Sequence, residues 1–332
     1  MRIALITDQM KMEYPDLFKD TYKESLNTVS HSIADAIESL GYEVKHIKAG
    51  EGLLDKITRF NPHLVFNRSN LEKGQEGIAE TPELLDSLGI PYTGPNGKNC
   101  VIAFNKFQTK KILKSLGIAT PAFLMVSDME DVRIPEEMAY PLFVKPVTGG
   151  CSLGIESENI VFEKEACKAI CEHLINTFDR PVIVEEFLGG REFTVGLLGN
   201  ETLTALPILE FVHAAEGAYA FRSFTTKMIP GKKEEKTCPA VISKEEENAI
   251  IALAKKTYHA IGCRDYARVD IRFDAENRPH VLEVNAFPSL KPDKSSFAVM
   301  AKIFGLPFED LIKEILTIAL KRNQISQNVV DL

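Results

Sequence analysis

The sequence lacks a CxxC pair, a long apolar run and any block of basic residues. Its six cysteines have no zinc-ligand spacing, so we expect reduced thiols rather than a disulfide framework or a structural metal. No apolar run approaches the roughly 18–20 residues that cross a bilayer, and the opening MRIALITD is typical of a buried strand rather than of a signal peptide. These absences exclude a disulfide-stapled or membrane-spanning protein, and we expect a cytoplasmic one.

The charge balance is acidic, with a formal net charge of −8. Without a basic block, this charge argues against nucleic acid as the main partner, although lysine clusters can still bind nucleotide phosphates. A small-molecule substrate is therefore favoured. With 332 residues and 45% hydrophobic content, the chain is long enough for two or three α/β units.

The order of patterns along the chain predicts three units. Short apolar runs alternate with helical periodicity in the first third, which is the βαβ rhythm of a parallel sheet. A Gly-Pro-Asn-Gly turn at 94–97 ends this unit, and a helix from about Ala103 to Leu116 follows. The polar, weakly periodic segment 214–237 is a candidate lid loop. The predicted bounds are 1–97 for the N-terminal unit, 98–187 for the central unit and 188–332 for the C-terminal unit.

The stretch RVDIRFDAENRPHVLEVN, residues 268–285, has alternating strands on both sides of a turn, which is typical of a β-hairpin. A turn centred within DAENRP places Asp270 opposite Glu283. Two residues farther from the turn on each strand, Arg268 then lies opposite Asn285. Side chains alternate along a strand, so these four residues share one face. The other face belongs to the core, and we expect it to hold Val269, Ile271, Leu282 and Val284.

The opposed acids predict a metal site. Cβ atoms of directly opposed residues lie roughly 5 Å apart, and like charges at that distance destabilise a sheet. A divalent cation compensates for them, because Mg²⁺ takes oxygen ligands from one or two carboxylates and keeps waters and substrate phosphates. Asn285 supplies a neutral ligand beside Asp270 and Glu283, and Arg268 a positive charge for a phosphate. The alternative is an amphipathic hairpin with a solvated charged face, and we favour the metal site.

A second set of residues is typical of phosphate binding. In FVKPVTGGCSLG, Lys145 ends an apolar strand and three glycines follow, among them Gly154. Backbone N–H groups and a lysine charge at such a place can approach phosphate oxygens closely. Lys106 lies on a predicted helix with Lys110 and Lys111. A plain strand-turn-strand and a solvated basic helix face remain the alternatives for these two segments.

The segment PVIVEEFLGGREF predicts a strand that ends at Glu185 and Glu186, followed by a glycine turn and Glu192. The end of such a strand can present backbone donors and acceptors to an adenine edge. A carboxylate there can accept from a ribose hydroxyl. An exposed acidic strand end is the alternative interpretation.

These motifs occur in an order that resembles the D-alanine–D-alanine ligases, over roughly residues 64–300. The matching segments are LDSLGIPYTG, NKFQTKKILKSLGI, PLFVKP with its glycine loop, VIVEEFLGGREFTVGLLG, KTCPA, ARVDIRF and LEVN. The resemblance implies an ATP-grasp fold, in which an N-terminal α/β domain precedes central and C-terminal domains that clasp ATP. It also implies that ATP phosphorylates a carboxylate and that an amine attacks the acyl phosphate, with Mg²⁺ or Mn²⁺, two ions in all, and a possible homodimer.

The resemblance assigns roles by position. The residues similar to ATP-binding groups are Lys106, Lys145, Ser152, Gly154, Glu185, Glu186, Leu188, Glu192 and Lys227. The residues similar to metal ligands are Asp270, Glu283 and Asn285. The residues similar to catalytic groups are Arg268, which steadies the acyl phosphate and the oxyanions, Lys227 on the lid loop, and Ser289, whose amide stands where the family has a glycine.

The departures from the family lie in the amino-acid pockets. Family members open with a glycine pair followed by a Ser-x-Glu segment that holds the first substrate's ammonium. The equivalent stretch here, TDQMKMEYPDLFKDTYKES, has no glycine pair, and Glu24 is the candidate for the ammonium partner. Asn70 stands in place of a histidine, Cys151 in place of a serine and Met228 in place of a tyrosine. The candidates for the serine that binds the second substrate's carboxylate are Ser295 and Ser296.

A pocket that loses polar partners penalises the substrate that those partners recognised. We therefore expect a ligase whose amino-acid or acid substrates differ from two D-alanines. The alternatives are a genuine D-alanine–D-alanine ligase of cell-wall synthesis, a carboxylating or phosphoribosyl-amine ATP-grasp enzyme, and a non-catalytic nucleotide-binding module.

Overall fold

The computed structural model describes residues 1–8, 16–69, 77–128, 134–136, 138–149, 154–212 and 235–325, with the side chains of the first helix described from residue 27 onward. The predicted α/β class is confirmed, with helices packed on three separate sheets. Among the described residues, no helix combines the length and the apolar character needed to cross a membrane.

The first sheet is parallel, as the βαβ rhythm predicts, and its order is β2-β1-β3. Its central strand is a continuous apolar run because both of its faces are buried. The carboxyl ends of β1 and β3 lie side by side, with Thr7 paired to Arg68. The elements of this unit are β1 (Arg2–Thr7), α1 (Asp16–Ser39), β2 (Glu43–Lys48), α2 (Leu53–Phe60), β3 (Leu64–Arg68) and α3 (Glu80–Ser87).

Two short helices, α4 (Gly97–Phe104) and α5 (Lys106–Ser115), stand where one helix from about Ala103 was predicted. The prediction was wrong at its start because Asn105 is extended, with φ −96° and ψ 103°. Its side chain accepts a hydrogen bond from the N–H of Gln108 and so caps the second helix. The cap places Lys106 at the first position of α5.

The second sheet is antiparallel, with the order β4-β7-β5-β6. A helix that runs from Lys164 to Phe178 covers it. Apolar side chains of the sheet and helix form one buried cluster, which gives this unit its own core. The elements are β4 (Phe123–Val126), β5 (Leu142–Pro146), β6 (Ile160–Val161), α6 (Lys164–Phe178) and β7 (Val182–Glu186).

The third sheet has the order β11-β10-β8-β12-β13, with β9 paired to β8. A long helix packs on one face, and the last two helices together with the first sheet's strands and α1 pack on the other. Most of the predicted lid segment lies outside the described residues, and its last three residues form β11. The elements are β8 (Glu192–Gly199), β9 (Leu203–Ala205), β10 (Leu209–Val212), β11 (Glu235–Thr237), α7 (Lys244–Ile261), β12 (Tyr266–Phe273), β13 (Pro279–Asn285), α8 (Ser296–Phe304) and α9 (Phe308–Arg322).

The predicted hairpin register is confirmed where it matters for the site. Asp270 pairs with Glu283, and Arg268 pairs with Asn285. Beyond Asp270 a β-bulge shifts the pairing, so that Ile271 lies opposite Val281. The expectation that Leu282 belongs to the core face was therefore wrong. The bulge gives that place to Val281, which is fully buried.

A buried carboxylate joins the N-terminal and C-terminal units. Asp265 is fully buried and accepts hydrogen bonds from the backbone N–H of Gly94 at 2.9 Å and from Asn200 Nδ2 at 3.1 Å. Arg322, near the end of α9, donates to both Asp265 carboxylate oxygens at 2.9 Å and to the Tyr92 carbonyl at 2.6 Å. One ion pair thus ties three distant parts of the chain together.

We predict that Arg322→Met destabilises the protein by about 3 kcal/mol, because it leaves a buried charge without its partner. This value is at the low end for a broken buried pair, since the Arg322 side chain is 20% exposed. The urea midpoint of unfolding measures the effect. The matched control is Arg278→Met, which removes an arginine whose side chain is 69% exposed and should leave the midpoint close to that of the wild type. Equal midpoints for the two variants would contradict the prediction.

Candidate active site

The hairpin face brings together Arg268, Asp270, Glu283 and Asn285, as the sequence predicts. Arg268 binds Asp270 with two parallel hydrogen bonds, Nε to Oδ1 at 2.9 Å and Nη2 to Oδ2 at 2.8 Å. The Asn285 amide donates to Asp270 Oδ2 at 3.1 Å and to Glu283 Oε1 at 3.3 Å. Thr194, opposite Asp270 on β8, donates its hydroxyl to Oδ1. One amide therefore bridges two carboxylates.

The two acids titrate differently because different charges surround them. Burial raises the pKa of Asp270, and Glu283 adds to that effect, although Arg268 opposes it. Burial also disfavours the ionised form of Glu283, but Lys106 and Lys145 outweigh it and lower its pKa. The site thus holds a carboxylate that resists ionisation beside one that is ionised.

The residues present fit a divalent cation. Within the described part of the chain, no group of three or more His, Cys, Asp and Glu side chains can hold a metal. Two carboxylates and one amide are instead an oxygen set that leaves positions for waters and phosphate oxygens, which is how Mg²⁺ binds at nucleotide sites. Reversing the amide of Asn285 would turn its oxygen towards such an ion. The positive charge of a bound cation would also favour the ionised form of Asp270 and so offset the burial that raises its pKa.

A buried group of three charges joins α5, β5 and β7, and sequence reasoning missed one member of it. Glu185 is 2% exposed and lies 3.0 Å from Lys145 Nζ and 3.4 Å from Lys110 Nζ. Burial opposes ionisation of Glu185, but Lys110 and Lys145 together lower its pKa. A solvated basic helix face, one alternative for this helix, does not apply to Lys110, which is fully buried. The available signal was the spacing of Lys106, Lys110 and Leu113 on one side of α5.

Lys110 also reaches the hairpin. Its Nζ donates to Thr120 Oγ1 at 2.7 Å and to the Val281 carbonyl at 3.4 Å, and Thr120 Oγ1 donates to the same carbonyl at 2.8 Å. Val281 is the residue at the bulge, two positions before Glu283. Burial lowers the pKa of Lys110 to about 8, although Glu185 raises it. The lysine therefore links the central sheet to the strand that carries Glu283.

Lys106 points at the glycine loop. Its Nζ donates to the Gly149 carbonyl at 2.9 Å and its backbone N–H to the Val147 carbonyl at 2.9 Å. Burial lowers the pKa of Lys106 to about 8, and the charge of Lys145 acts in the same direction, whereas Glu283 opposes it. Gly154 has φ +72°, and a Cβ there would lie 2.7 Å from the Phe178 ring, so the loop requires glycine at this position.

The hinge after β7 places the predicted nucleotide residues along a single turn. Glu186 Oε1 accepts from the Ala139 N–H at 3.0 Å, and Leu188 is half-buried in the turn. Glu192 opens β8 and lies 3.3 Å from Arg272, a residue that sequence reasoning missed. The signal for Arg272 was its position two residues after Asp270, and it lies directly opposite Glu192 across the sheet. Its guanidinium also lies 4.6 Å from the centre of the Phe187 ring.

The predicted substrate and lid residues divide into described and undescribed ones. Ser289 is exposed in the turn after β13, its hydroxyl 3.5 Å from the Lys291 N–H. Ser295 caps α8, because its Oγ accepts from the Ala298 N–H at 3.3 Å and donates to the Lys291 carbonyl at 3.0 Å, and Ser296 is buried. The predicted residues outside the described ranges are Asn70, Cys151, Ser152, Lys227 and Met228. Glu24 lies in the part of α1 whose side chains are not described.

Comparison with known proteins fits this geometry. Residues 112–317 match the protein family described as "D-ala D-ala ligase C-terminus". A D-alanine–D-alanine ligase from Carboxydothermus hydrogenoformans is 33% identical over 88% of this chain and 93% of its own length. An uncharacterized protein of Sinorhizobium fredii is 28% identical over 97% of this chain and 98% of its own.

A solved structure agrees as well. The D-alanine–D-alanine ligase of Bacillus anthracis, complexed with ATP, superposes with a TM-score of 0.77 at 25% identity, covering 98% of this chain and 99% of that one. Two kinds of comparison, by sequence and by structure, therefore lead to the same group of enzymes. The chain belongs to the D-alanine–D-alanine ligase family and is an ATP-grasp ligase that forms carbon–nitrogen bonds.

Proposed function

We propose that this ligase activates a carboxylate with ATP and joins it to an amine, and that its amino-acid or acid substrates differ from two D-alanines. The observation that carries the activation step is the opposition of Asp270 and Glu283 within reach of buried lysine charges. A non-catalytic nucleotide-binding module has no need for two acids held in this way. With this reaction class, the carboxylating and phosphoribosyl-amine enzymes are not needed as alternatives to explain the residues of the site.

In this proposal each charged residue of the site has a role on the nucleotide. Lys106 and Lys145 neutralise phosphate oxygens next to the glycine loop, and the lid lysine Lys227 adds a further positive charge. Arg268 steadies the transferred phosphoryl group and the oxyanion that forms at the acyl carbon. The backbone N–H of Ser289 serves as an oxyanion donor. The end of β7, from Glu186 to Leu188, holds the adenine, and Glu192 the ribose.

Asp270, Glu283 and Asn285 would hold Mg²⁺ or Mn²⁺, and we propose two ions. When bound, the cations neutralise the phosphates and polarise the bond that breaks. Glu185, which the resemblance assigns to the adenine, also holds two lysines in place, because its carboxylate lies 3.4 Å from Lys110 Nζ and 3.0 Å from Lys145 Nζ. We further propose a cytoplasmic enzyme with small amino-acid-like substrates, and the possible homodimer stays a prediction.

The altered pocket supports the substrate half of the proposal. The positions at which this chain departs from the family's motifs, Asn70, Cys151 and Met228, belong by that resemblance to the amino-acid pockets. The hydroxyl of Ser295 is already engaged as a helix cap, which leaves it less free to bind a substrate carboxylate. A genuine D-alanine–D-alanine ligase remains the second candidate.

Glu283→Gln should lower turnover by at least about 100-fold, because it removes the ionised metal ligand and several kcal/mol of charge stabilisation. ADP release in a coupled assay measures it. The matched control, Glu276→Gln, makes the same change in the exposed turn of the same hairpin and should leave turnover unchanged. Normal turnover in Glu283→Gln would refute the metal assignment.

ATP affinity should weaken as the pH rises. The pKa of Lys106 is lowered to about 8, so its charge is present below that pH and is lost above it. Calorimetry should show the Kd for ATP, with Mg²⁺ present, rising roughly tenfold between pH 7 and pH 9. Lys106→Met should bind weakly at both pH values, whereas Lys111→Met, on the exposed side of α5, should behave like the wild type. A Kd that stays constant in the wild type would contradict the prediction.

Phosphate release with a panel of amino acids and acids tests the substrate half. We expect the best pair to contain a substrate other than D-alanine, because the altered positions remove polar partners. The control reaction contains D-alanine alone. Robust turnover that yields the D-alanyl-D-alanine dipeptide would establish the genuine ligase instead.

A further inference from the structure

Arg68 ends β3 of the N-terminal unit and reaches the C-terminal unit. Its Nη1 donates to the Pro288 carbonyl at 3.0 Å and to the Tyr266 hydroxyl at 3.3 Å. Pro288 directly precedes Ser289, and Tyr266 opens β12 two residues before Arg268. The predicted catalytic roles above make no use of this arginine.

Arg68 lies on the reacting side of the third sheet. Leu64 and Phe66 alternate with it along β3 and pack in the same cluster as Tyr266, so this face of β3 is turned to the third sheet. Tyr266 in turn shares its face of β12 with Arg268 and Asp270 by the two-residue alternation. The guanidinium therefore stands at one end of the row whose other end is the metal site.

The charge of Arg68 has no counter-ion among the described residues. Its two contacts are both to neutral oxygens, and both use Nη1. Nε and Nη2 have no hydrogen-bond partner within the described ranges, although the side chain is half-buried. Nε and Nη2 form the edge of a guanidinium that matches a carboxylate with two parallel hydrogen bonds. A partly desolvated cation with such a free edge is suited to an anionic ligand.

The spacing along β12 indicates how far this anion lies from the reacting centre. A strand rises about 3.4 Å per residue, so the Tyr266 and Arg268 positions are roughly 7 Å apart. If Arg268 faces the reacting carboxylate, a second carboxylate at Arg68 is separated from it by roughly two or three carbon atoms. Four- and five-carbon dicarboxylates, including acidic amino acids, have this separation.

We propose that Arg68 binds a substrate carboxylate other than the one that is activated, so that the enzyme accepts an acidic substrate of the aspartate or glutamate class. The proposal rests on the proposed ligase function and specifies its substrate. Arg68 also holds the Pro288 carbonyl in place. Loss of anion binding should raise the KM for the acid, whereas loss of the contact with Pro288 should lower kcat equally for acid and amide.

The test uses isosteric pairs that differ only in the charge of the distal group. Initial rates of phosphate release are measured with glutamate against glutamine and with succinate against succinamate, each with a fixed amine. The wild type should prefer the acid member. Arg68→Met should raise the KM for the acid by about 10- to 100-fold and leave the KM for the amide unchanged. Each pair is then repeated with two amine partners, an amino acid and the corresponding amino-acid amide. The comparison shows whether the carboxylate bound by Arg68 belongs to the acid substrate or to the amine substrate.

Two further variants keep the result interpretable. Arg68→Lys retains the charge and one donor but not the paired edge, and it should give an intermediate KM for the acid even if Arg68→Met does not fold. Arg59→Met, at an exposed position in α2 of the same unit, is the control for lost charge and should match the wild type. A loss of kcat that is equal for acid and amide, with KM unchanged, would mean that Arg68 only positions the Pro288 turn and would overturn the proposal.

Equilibrium binding separates this proposal from the ligase function. Calorimetric titration of succinate and succinamate, with Mg²⁺ and a non-hydrolysable ATP analogue present, needs no turnover. If the wild type binds succinate more tightly than succinamate and Arg68→Met does not, the anion site is supported. A lack of turnover with every substrate pair would then refute the proposed reaction and not the anion site. Equal binding of succinate and succinamate by the wild type overturns the anion site.

Discussion

Two carboxylates that backbone pairing holds face to face are the constraint on which the site depends. The pairing of β12 with β13 opposes Asp270 to Glu283, and neither can withdraw without breaking the ladder. Because a protein interior screens charge poorly, burial makes this repulsion larger than it would be on a surface. The surrounding groups offset this repulsion unequally. Arg268 and Thr194 contact Asp270, the charges of Lys106 and Lys145 act on Glu283, and the Asn285 amide bridges the two acids. The arrangement is costly for folding alone, and the divalent cation proposed for this site would offset that cost.

The lysine charges are themselves held by the fold. Lys110, fully buried, connects Glu185 at the end of the central sheet with the Val281 carbonyl at the hairpin bulge. Removing several charges from water costs free energy that their mutual attraction only partly returns, so this cluster is weak evidence for stability. The position of the cluster between the central sheet and the hairpin offers a better explanation for its presence. A nucleotide bound between the two sheets, as proposed, would need them at a fixed separation, and a buried ion cluster with directional hydrogen bonds provides it.

Sequence patterns predicted those parts of this arrangement that depend on alternation and order. The opposition of Asp270 and Glu283 followed from period-two alternation around one turn, and the parallel first sheet from its βαβ rhythm. The bulge at Val281 was not predictable, because an extra residue in a strand leaves no mark in an apolar-polar pattern. A solvated helix face was one alternative for Lys110, because helical spacing does not reveal that Glu185, on a distant strand, pairs with it on the buried side of the helix. Arg68 was overlooked for the same reason: its partners lie about two hundred residues away in sequence.

The residues proposed to bind ATP and the residue proposed to bind the substrate lie on different elements, and this separation would let one set change without the other. The residues proposed to bind the nucleotide and the metal lie on strands of two sheets and on the capped start of α5, where a substitution disturbs the pairing or the buried charges. Arg68 is instead the last residue of a strand in the N-terminal unit, and its hydrogen bonds to the described part of the C-terminal unit go to a carbonyl and a hydroxyl. A side chain at such a position can be exchanged without moving Asp270, Glu283 or the lysines. Since Asp265 and Arg322 hold the two units together independently, the fold keeps its shape while the chemistry of the substrate contact varies.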